Sequence, residues 1–591
     1  MYAGLCVARC FADRLSLCSV KCPCHGLRAR IEVVPDNAKG LIRTAPGPTS
    51  TQARLPEFIR NCPHATTIWW LLLLPHHRDP LAAPTLLKMI KGRIFQNIRV
   101  YWLAFIVYWG IVLFGYDTGI GGGVVSETYF KTHFGLLNPD GSTNTAKANA
   151  VSSNVVSVLQ AGAFFGALGS APLSAAIGRK WSLLIFSIIF SVGAILQTVA
   201  GGSRGLGYIY GGRVVAGIGI GAISAVAPAF VSECSPKEVR GRITGLFQIM
   251  VAVGVMISYF INLGVSIHVK SGFGVWRIPF GFQLVPAGIM AFGLLTVKES
   301  PRWLASKDRI DEALANISYL RRLPPDDERV RYELAEIEAA ISEEREARRD
   351  LGLKEAFLAK AMERAELGEL LCPSNFPIGY QGVSNSLLAS GIYGIVKVVS
   401  TSLFVFFLFD TLGRKRSLFI SAMGMGILFF IIGALLKEFP PDTKASSPAP
   451  ASKAMAAMLY IYVCFYSMGW GPLPWVYVAD IFPTRTRHYG LSVASASQWL
   501  FNFVLAKITP TLITDLGYKI FLMFAAINIG GMAIFALLIP ETKGRSLEEM
   551  DIIFGSVQAD KRNANIEKQE RVFDSHAVDE TTSEKSEDKN V

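Results

Sequence analysis

Charged residues are scarce in this chain. They make up 18% of its 591 residues, whereas an average soluble domain carries about 25%. The sequence is 51% hydrophobic with a mean hydropathy of +0.36, and apolar runs of about 20 residues recur along most of it. These features exclude a soluble globular protein and indicate an integral membrane protein.

The chain also lacks the motifs of enzymes and ATP-driven pumps. No Gly-x-x-x-x-Gly-Lys-Ser/Thr phosphate loop is present. Six of the nine cysteines fall within residues 1–62, and the Cys-Pro-Cys-His sequence at 22–25 has no second Cys or His pair at zinc spacing. We therefore expect no enzyme activity, no metal and no bound cofactor.

The net charge of +12 does not come from a separate basic domain. Lysines and arginines flank the apolar spans instead, as the excess of positive charge on cytoplasmic loops predicts. This distribution argues against a nucleic-acid partner and favours a lipid bilayer. We expect the chain to act as a monomer.

The apolar runs predict eleven membrane spans. Those of the first half lie near residues 101–121, 150–172, 181–200, 207–231, 243–265 and 277–297, and those of the second near 386–409, 417–436, 456–479, 490–512 and 519–540. Glycines crowd several of them, among them Gly162, Gly166 and Gly169 in the second span and Gly221 in the fourth. Such spacing lets helices approach each other closely in lipid.

Polar segments flank and separate the two halves. We predict an N-terminal extension over 1–88, a six-helix half over 89–300, a cytoplasmic helical linker over 301–370, a second half with five recognisable spans over 371–555 and a disordered cytoplasmic tail over 556–591. Leu334, Ile337 and Ile341 recur among the linker's charges, which is typical of amphipathic helices. The extension shows no apolar period and Met89 precedes the first span, so we expect translation to start at Met89 and the extension to be disordered or not made.

Short charged motifs that end spans of the first half recur in the same order in the second half. Gly-Arg-Lys at 178–180 recurs at 413–415, and Glu299 corresponds to Glu541. The pair Glu233 and Arg240 corresponds to Asp480 and Arg487. A repeated membrane unit of this kind predicts a secondary transporter with its substrate site between the halves.

The second half lacks its first helix. Six spans return the chain to the cytoplasm at residue 301, so a next span at 386–409 would place the basic residues 414–416 outside. One more span between 365 and 386 would restore the charge bias, but the stretch 370–377 is too short and is broken by prolines. We infer that a seventh helix has been lost through a gene-model or splicing error.

Asp117 in the first span and Arg213 in the fourth are charges within apolar helices. A carboxylate there costs about 2.5–3.5 kcal/mol, so it normally faces a cavity or a partner. We predict that the two pair and that protonation of Asp117 releases Arg213; a purely structural ion pair or a carboxylate at the membrane interface is the alternative. Lys397, in the span at 386–409, is another such charge, and we expect its side chain to extend toward the membrane surface.

Polar and aromatic side chains within apolar spans predict the substrate site. They are Gln248, Trp475, Gln498 and Trp499. Amides that donate and accept hydrogen bonds beside an aromatic face suit a hydroxyl-rich ligand, whereas hydrogen bonding between helices is the alternative.

The charged motifs at span ends predict a gate that pairs across the halves and closes the inner face. A role in setting topology alone is the alternative. The predicted gate consists of Arg179, Glu233, Arg240, Glu299, Arg302, Asp410, Arg414, Asp480, Arg487 and Glu541.

Seven motifs together resemble those of the sugar porter family of the major facilitator superfamily, over residues 95–555. They are Gly-Tyr-Asp-Thr-Gly at 115–119, Gly-Arg-Lys at 178–180, Glu-x-x-Pro-x-x-x-Arg-Gly at 233–241, Glu-Ser-Pro-Arg-Trp-Leu at 299–304, Asp-x-x-Gly-Arg-Lys at 410–415, Ile-Phe-Pro-Thr-Arg at 481–485 and Pro-Glu-Thr-Lys-Gly at 540–544. They are most similar to those of fungal hexose, pentose and quinate permeases. The resemblance implies an all-α membrane fold of two six-helix halves, here with about eleven spans.

The resemblance also implies roles for particular residues. The two glutamines and two tryptophans of the predicted substrate site match sugar-contacting positions, and Asp117 and Arg213 match a proton-coupling pair. The implied activity is transport of a monosaccharide or related polyhydroxylated molecule by alternating access and proton symport across the plasma membrane. Both termini are cytoplasmic if the missing helix is present. A transporter-like nutrient sensor and an inactive product of an incomplete gene model are the alternatives.

The chain departs from the family pattern at a few positions. Ala175 stands where Asp is usual, Lys298 replaces a proline and Asp480 replaces a glutamate. These changes are tolerable. The absent seventh helix is the serious departure, because in the family it carries an amide-rich sugar-binding run.

Overall fold

The computed structural model describes residues 17–21, 28–32, 97–140, 142–201, 205–350, 386–440, 450–475, 477 and 487–541. The predicted start at Met89, the tail over 556–591 and nearly all of the stretch 365–386 lie outside these residues. The chain divides into two units, Met1–Arg93 and Ile94–Val591.

The first unit contains a short hairpin. Strand β1, Leu17–Lys21, pairs antiparallel with β2, Arg28–Glu32, so that Leu17 lies opposite Glu32. These ten residues form a hairpin although they show no apolar period and lie in the extension that was expected to be disordered or not made. The rest of the predicted extension lies outside the described residues.

The second unit begins with the helices of the first half. They are α1 Ile98–Ser126, α2 Thr128–His133, α3 Thr145–Ile177, α4 Arg179–Thr198, α5 Leu206–Cys234, α6 Lys237–His268, α7 Gly274–Phe282 and α8 Leu284–Leu294. Short polar helices follow: α9 Pro301–Ser306, α10 Ile310–Arg321 and α11 Glu328–Asp350.

The helices of the second half follow the same pattern of long apolar segments. They are α12 Ser386–Leu403, a π-helical turn Phe404–Leu408, α13 Phe409–Leu412, α14 Arg414–Glu438, α15 Pro450–Met468, α16 Arg487–Leu516, α17 Lys519–Ile527, a second π-helical segment Asn528–Ala533 and α18 Ile534–Leu538.

Each predicted span coincides with helical structure. Ten helical segments of the described chain are long and apolar enough to cross a membrane. The remaining predicted span, 490–512, lies in α16, which has 30 residues but carries Lys507 and Asp515 and is more polar. A helix of about 20 residues is about 30 Å long and matches the hydrocarbon core of a bilayer.

Small residues bring α3 and α5 into close contact, as the glycine spacing predicts. A Cβ atom on Gly166 would collide with the backbone of Ile218, and one on Gly221 would collide with that of Ala163. Gly162 approaches Val214 in the same way. Gly169 differs, because a Cβ there would meet nothing within 4 Å.

The two halves meet along two equivalent seams. Helix α3 packs against α16, and α6 packs against α12. If one additional helix is counted before α12, the second half also has six helices. Each seam then joins the second helix of one half to the fifth helix of the other. In the first half α1 packs against α6. The corresponding partner of α16 is not among the described helices, and its place in the chain is where the sequence predicts the lost helix.

The linker helices form a small cluster of their own. Trp303 of α9, Ile317 of α10 and Leu334 and Ile337 of α11 are buried against one another, and Ile341 packs on the same cluster. The amphipathic spacing in the sequence therefore predicted these helices correctly as far as Asp350; residues 351–370 of the predicted linker lie outside the described chain.

Candidate functional site

A buried ion pair joins the first and fourth spans. Arg213 Nη1 of α5 lies 3.0 Å from Asp117 Oδ1 of α1, and the two residues are 1% and 5% exposed. Gln283, at the junction of α7 and α8, donates from Nε2 to the same oxygen at 2.7 Å. The Arg213 guanidinium also lies 5.3 Å from the centre of the Phe280 ring. The structure thus brings together the two predicted charges and adds an amide from the sixth span.

Part of this cluster has unused hydrogen-bonding capacity. Among the described residues, Asp117 Oδ2 and the Nε and Nη2 atoms of Arg213 have no hydrogen-bond partner. Asp117 can therefore accept a proton on Oδ2 while Oδ1 still faces its two donors. A proton there would remove the charge that holds the Arg213 guanidinium in place.

Two of the predicted aromatic residues lie against the first half. The ring centre of Trp499 in α16 lies 4.8 Å from that of Phe114 in α1. Trp475, at the end of the span Pro450–Trp475, lies 4.5 Å from Phe247 of α6 and 6.2 Å from Phe114. Trp499 Nε1 donates to Ser224 of α5 at 3.0 Å. Both tryptophans are buried where the halves meet.

The predicted amides lie next to these rings in the chain. Gln248 follows Phe247 and is buried, and Gln498 precedes Trp499. Gln498 Oε1 and Nδ2 of Asn502, one helical turn further on, are buried without a hydrogen-bond partner among the described residues. Sequence reasoning missed Asn502, although its spacing of four residues from Gln498 is the signal that could have found it. Unpaired buried amide atoms are costly unless a ligand or water satisfies them.

Gate residues of the first half form one network. Arg179 donates to both carboxylate oxygens of Glu233, with the shortest N–O distance 3.0 Å, and Ser300 Oγ donates to Glu233 at 2.5 Å. The backbone N–H groups of Arg179 and Lys180 donate to Glu299 at 3.0–3.2 Å. Burial raises the pKa of Glu299, and these backbone donors act against that rise.

The second half repeats the carboxylate arrangement. The backbone N–H groups of Arg414 and Lys415 donate to Glu541 at 2.9 and 3.1 Å. In both halves a glycine with positive φ precedes the helix, Gly178 at 98° and Gly413 at 79°. A Cβ atom on either glycine would collide with the facing carboxylate. The sequence repeat therefore corresponds to a repeated helix-start motif that holds a carboxylate on free backbone N–H groups.

The structure describes only some of the remaining predicted gate residues. Arg302 lies in the first turn of α9. Arg240, Asp410 and Arg487 lie in helices whose side chains there are outside the described set, and Asp480 is outside it altogether. The contacts of Arg179, Glu233, Glu299, Arg414 and Glu541 join residues of the same half, so pairing across the halves stays a prediction.

Lys397 does not lie where the sequence predicted, with its side chain extended toward the membrane surface. The residue is 4% exposed, and its Nζ lies 5.4 Å from the ring centre of Tyr466 in α15. The side chain is therefore buried within the protein and does not extend along an apolar surface toward the membrane edge. Sequence reasoning placed it wrongly because hydropathy does not indicate which face of a span a residue occupies.

Two similar helical units, close glycine contacts between spans and a buried ion pair beside polar groups are typical of a membrane transporter. The family model for "sugar (and other) transporter" matches residues 103–367 and 378–554. The chain belongs to this sugar transporter family of the major facilitator superfamily.

Curated relatives are named as permeases. The chain is 36% identical over 485 residues to a probable quinate permease of Neosartorya fischeri, covering 78% of the chain and 88% of the relative. It is 36% identical over 496 residues to a probable quinate permease of Aspergillus niger, covering 80% and 91%. The quinate permease of Emericella nidulans is 35% identical over 485 residues, covering 78% and 90%.

Solved structures confirm the fold. The proton:xylose symporter XylE bound to 6-bromo-6-deoxy-D-glucose superimposes on this chain with a TM-score of 0.67 at 22% sequence identity. The superposition covers 78% of this chain and 100% of XylE. A partially occluded inward-open XylE from E. coli gives 0.61. The predictions of a major facilitator fold, of a multi-pass membrane transporter and of a protein that is not an enzyme are confirmed, and the family takes small, sugar-like substrates.

Proposed function

We propose that this protein moves a polyhydroxylated small molecule across the plasma membrane by alternating access, coupled to proton entry. The two halves rock about the seams α3–α16 and α6–α12, and the substrate binds between them. The predicted substrate residues Gln248, Trp475, Gln498 and Trp499 lie on helices that meet at this junction. The relatives named quinate permease support a hydroxylated cyclic acid as substrate, and the match to the sugar transporter family supports a monosaccharide.

One observation carries the proton coupling. Asp117 and Arg213 form a pair 3.0 Å apart that is buried between apolar helices, on the same helix α1 as Phe114 of the aromatic cluster. Asp117 takes up a proton from the outer side and releases Arg213, which loosens the contact between α1 and α5. Substrate binding near Phe114 and protonation of Asp117 thus act on one helix.

Transport assays test this proposal. The protein is reconstituted in liposomes, a pH gradient is imposed, and uptake of labelled quinate, glucose and xylose is followed. Accumulation of one of these above equilibrium, abolished by a protonophore, is the expected result. Equilibration without accumulation would contradict proton coupling and indicate facilitated diffusion. Specific binding without any flux would favour the nutrient sensor.

We also propose that the native protein contains a seventh helix. The family match breaks at residues 368–377, and no helix of the described chain lies against α16 as α1 lies against α6. With that helix restored, both termini and the linker lie on the cytoplasmic side. Sequencing the transcript across residues 360–390 tests the proposal, and a transcript identical to the present sequence would contradict it.

A further inference from the structure

Gln160 of α3 and Asn502 of α16 are buried amides on the inward faces of two membrane helices. They are 5% and 7% exposed. On α3, Phe165 is 66% exposed and lies about 140° around the helix from Gln160. On α16, Leu500 and Val504 are 41% and 39% exposed, and each lies about 160° around the helix from Asn502. Because the exposed side chains face lipid, both amides face the interior of the protein.

Helices α3 and α16 run antiparallel along the seam that joins the two halves. Near the end of α3, Ser170 Oγ lies 3.0 Å from Ser492 Oγ, which is near the start of α16. Near the start of α3, Asn154 is hydrogen-bonded to Lys507, which is in the later part of α16. These two contacts fix which residues of the two helices lie opposite each other.

The register places the two amides at the same height along the seam. Gln160 comes ten residues before Ser170, and Asn502 comes ten residues after Ser492. Residues equally far from one contact in antiparallel helices lie at the same height, because each residue advances both helices by about 1.5 Å. The seam therefore brings together one amide from each half. Neither residue belongs to the substrate site that the sequence predicted.

These amides have atoms without a hydrogen-bond partner. Among the described residues, Gln160 Oε1 and Asn502 Nδ2 are buried and unpaired. Gln498, one turn before Asn502 on the same face of α16, also has a buried and unpaired Oε1. Two acceptors and one donor thus remain unsatisfied between α3 and α16. Unpaired polar atoms in a protein interior are costly, so three of them in one region favour a bound ligand.

The three amides adjoin the aromatic cluster of the candidate substrate site. Trp499 follows Gln498 directly, and its ring centre lies 4.8 Å from that of Phe114 in α1. Trp499 Nε1 donates to Ser224 of α5 at 3.0 Å, which fixes the orientation of the indole. A ligand that lies against this cluster is therefore within reach of the amides on α16 and α3.

We propose that Gln160 and Asn502, together with Gln498, bind two neighbouring hydroxyl groups of the substrate across the α3–α16 seam. The inference rests on the proposed function and specifies which part of the substrate this region takes. One hydroxyl donates to Gln160 Oε1 and accepts from Asn502 Nδ2, and its neighbour donates to Gln498 Oε1. A carboxylate only accepts hydrogen bonds and would face two carbonyl oxygens. The subsite therefore takes the diol part of a sugar or of a hydroxy acid, and excludes the acid group.

Binding of ligands to the purified full chain in nanodiscs tests the inference. The probes are quinate, glucose and the monodeoxy derivatives of both, each of which lacks one hydroxyl. In the wild type we expect one derivative of the bound parent to bind about tenfold more weakly, because the amides are left unpaired. Gln160→Leu should shrink this difference to about threefold, and the double variant Gln160→Leu with Asn502→Leu should abolish it. Both variants should bind the parent more weakly than the wild type does.

Gln197→Leu is the matched control. Gln197 in α4 is also a glutamine with a buried and unpaired Oε1, and it is 0% exposed. Its side chain lies against Gly212 of α5, within the first half and away from the seam. We expect this variant to keep both the affinity for the parent and the tenfold difference. A purely structural role of the Gln160 amide would make the two variants behave alike.

The outcomes separate the inference from the proposed function. A tenfold difference that survives in Gln160→Leu, or equal weakening of the parent and every derivative, would overturn the subsite. Equal binding of the parent and all its derivatives by the wild type would also overturn it and would leave transport standing. Failure of both quinate and glucose to bind would contradict the proposed function itself. If Gln160→Leu does not fold, Gln160→Met replaces it, and the same reduction of the difference is required.

Discussion

Asp117 is held by two donors on one oxygen. Arg213 supplies a charge and Gln283 a neutral amide, both to Oδ1, while Oδ2 has no partner among the described residues. An amide in place of the carboxylate would keep a carbonyl oxygen for both donors but could not carry a proton. Protonation and hydrogen bonding can therefore be separated by one substitution.

Asp117→Asn should abolish accumulation against a gradient and retain exchange of substrate across the membrane. The reason is that the amide still accepts hydrogen bonds from Arg213 and Gln283 while coupling to the proton is lost. Uptake driven by a pH gradient and counterflow without one, both in a version that carries the seventh helix, measure the two activities. Unchanged gradient-driven uptake by the mutant would remove Asp117 from the mechanism.

Trp475→Ala and Gln248→Ala should each weaken substrate binding more than folding. Loss of an aromatic face or an amide in a site shielded from water costs about 1–3 kcal/mol, hence about a fivefold to 150-fold rise in apparent KM. Uptake kinetics at matched surface expression provide the measurement. Phe165→Ala is the control, since Phe165 is 66% exposed on α3 and should leave KM unchanged. A normal KM together with lower thermal stability would mean that Trp475 and Gln248 only join helices.

The sequence identifies charges in membrane spans more readily than neutral polar groups. Asp117 and Arg213 were predicted as partners because a lone charge in an apolar run is costly. Gln283 and Asn502 were missed because amides are common in spans and carry no comparable penalty. Lys397 was assigned to the membrane surface, since a long side chain can reach it from most positions. Only the three-dimensional arrangement shows which face each residue occupies.

At the level of helices, the repeated Gly-Arg-Lys motif has a structural explanation. A glycine with positive φ lets the chain turn sharply into α4 and into α14, and the first free N–H groups of each helix bind a carboxylate from the end of the sixth helix of the same half. The repeat predicted that these positions are equivalent, whereas the predicted pairing across the halves is a separate matter that these contacts do not test. Spacing in sequence identifies equivalent positions and does not identify their partners.

Gly178→Ala should destabilise the first half. At φ 98° and ψ 170° the backbone lies in a region almost restricted to glycine, with a cost of about 1–3 kcal/mol for other residues. The new Cβ would also push Glu299 away from the N–H groups of α4. Thermal unfolding in detergent should show a lower midpoint for this variant.

Gly169→Ala on the neighbouring helix α3 is the control for this experiment. It lies in a helix and a Cβ there meets nothing within 4 Å, so the midpoint should stay equal or rise slightly. Equal midpoints for Gly178→Ala and wild type would show that the turn and its carboxylate contribute nothing measurable to stability.

For the whole molecule, the two seams differ in the contacts that the proposed alternating access would have to change. Along α3–α16, Ser170 bonds to Ser492 at 3.0 Å and Lys507 bonds to Asn154, so polar contacts lie at both ends of this seam. Along α6–α12 the contacts are glycine against apolar groups, as at Gly245 and Gly394. The proposed rocking of one half against the other would therefore break polar contacts on one seam and slide apolar surfaces on the other.

The repeat of helices in the two halves leads to a prediction about topology and activity. The chain as given should transport poorly, because no described helix takes the place beside α16 that α1 takes beside α6. In addition, the single described span between the linker and residues 414–416 places them on the outer side, against the charge bias. A version with a helix restored near residue 372 should place them inside and transport efficiently. A single cysteine substituted at Lys415, in a background without other cysteines, is labelled with an impermeant thiol reagent on intact cells. Labelling should occur in the chain as given and be absent in the version with the restored helix. Uptake should be weak in the chain as given and strong in the restored version. Strong uptake by the given sequence, with Lys415 outside, would show that eleven spans suffice, and the lost helix would then be no part of the native protein.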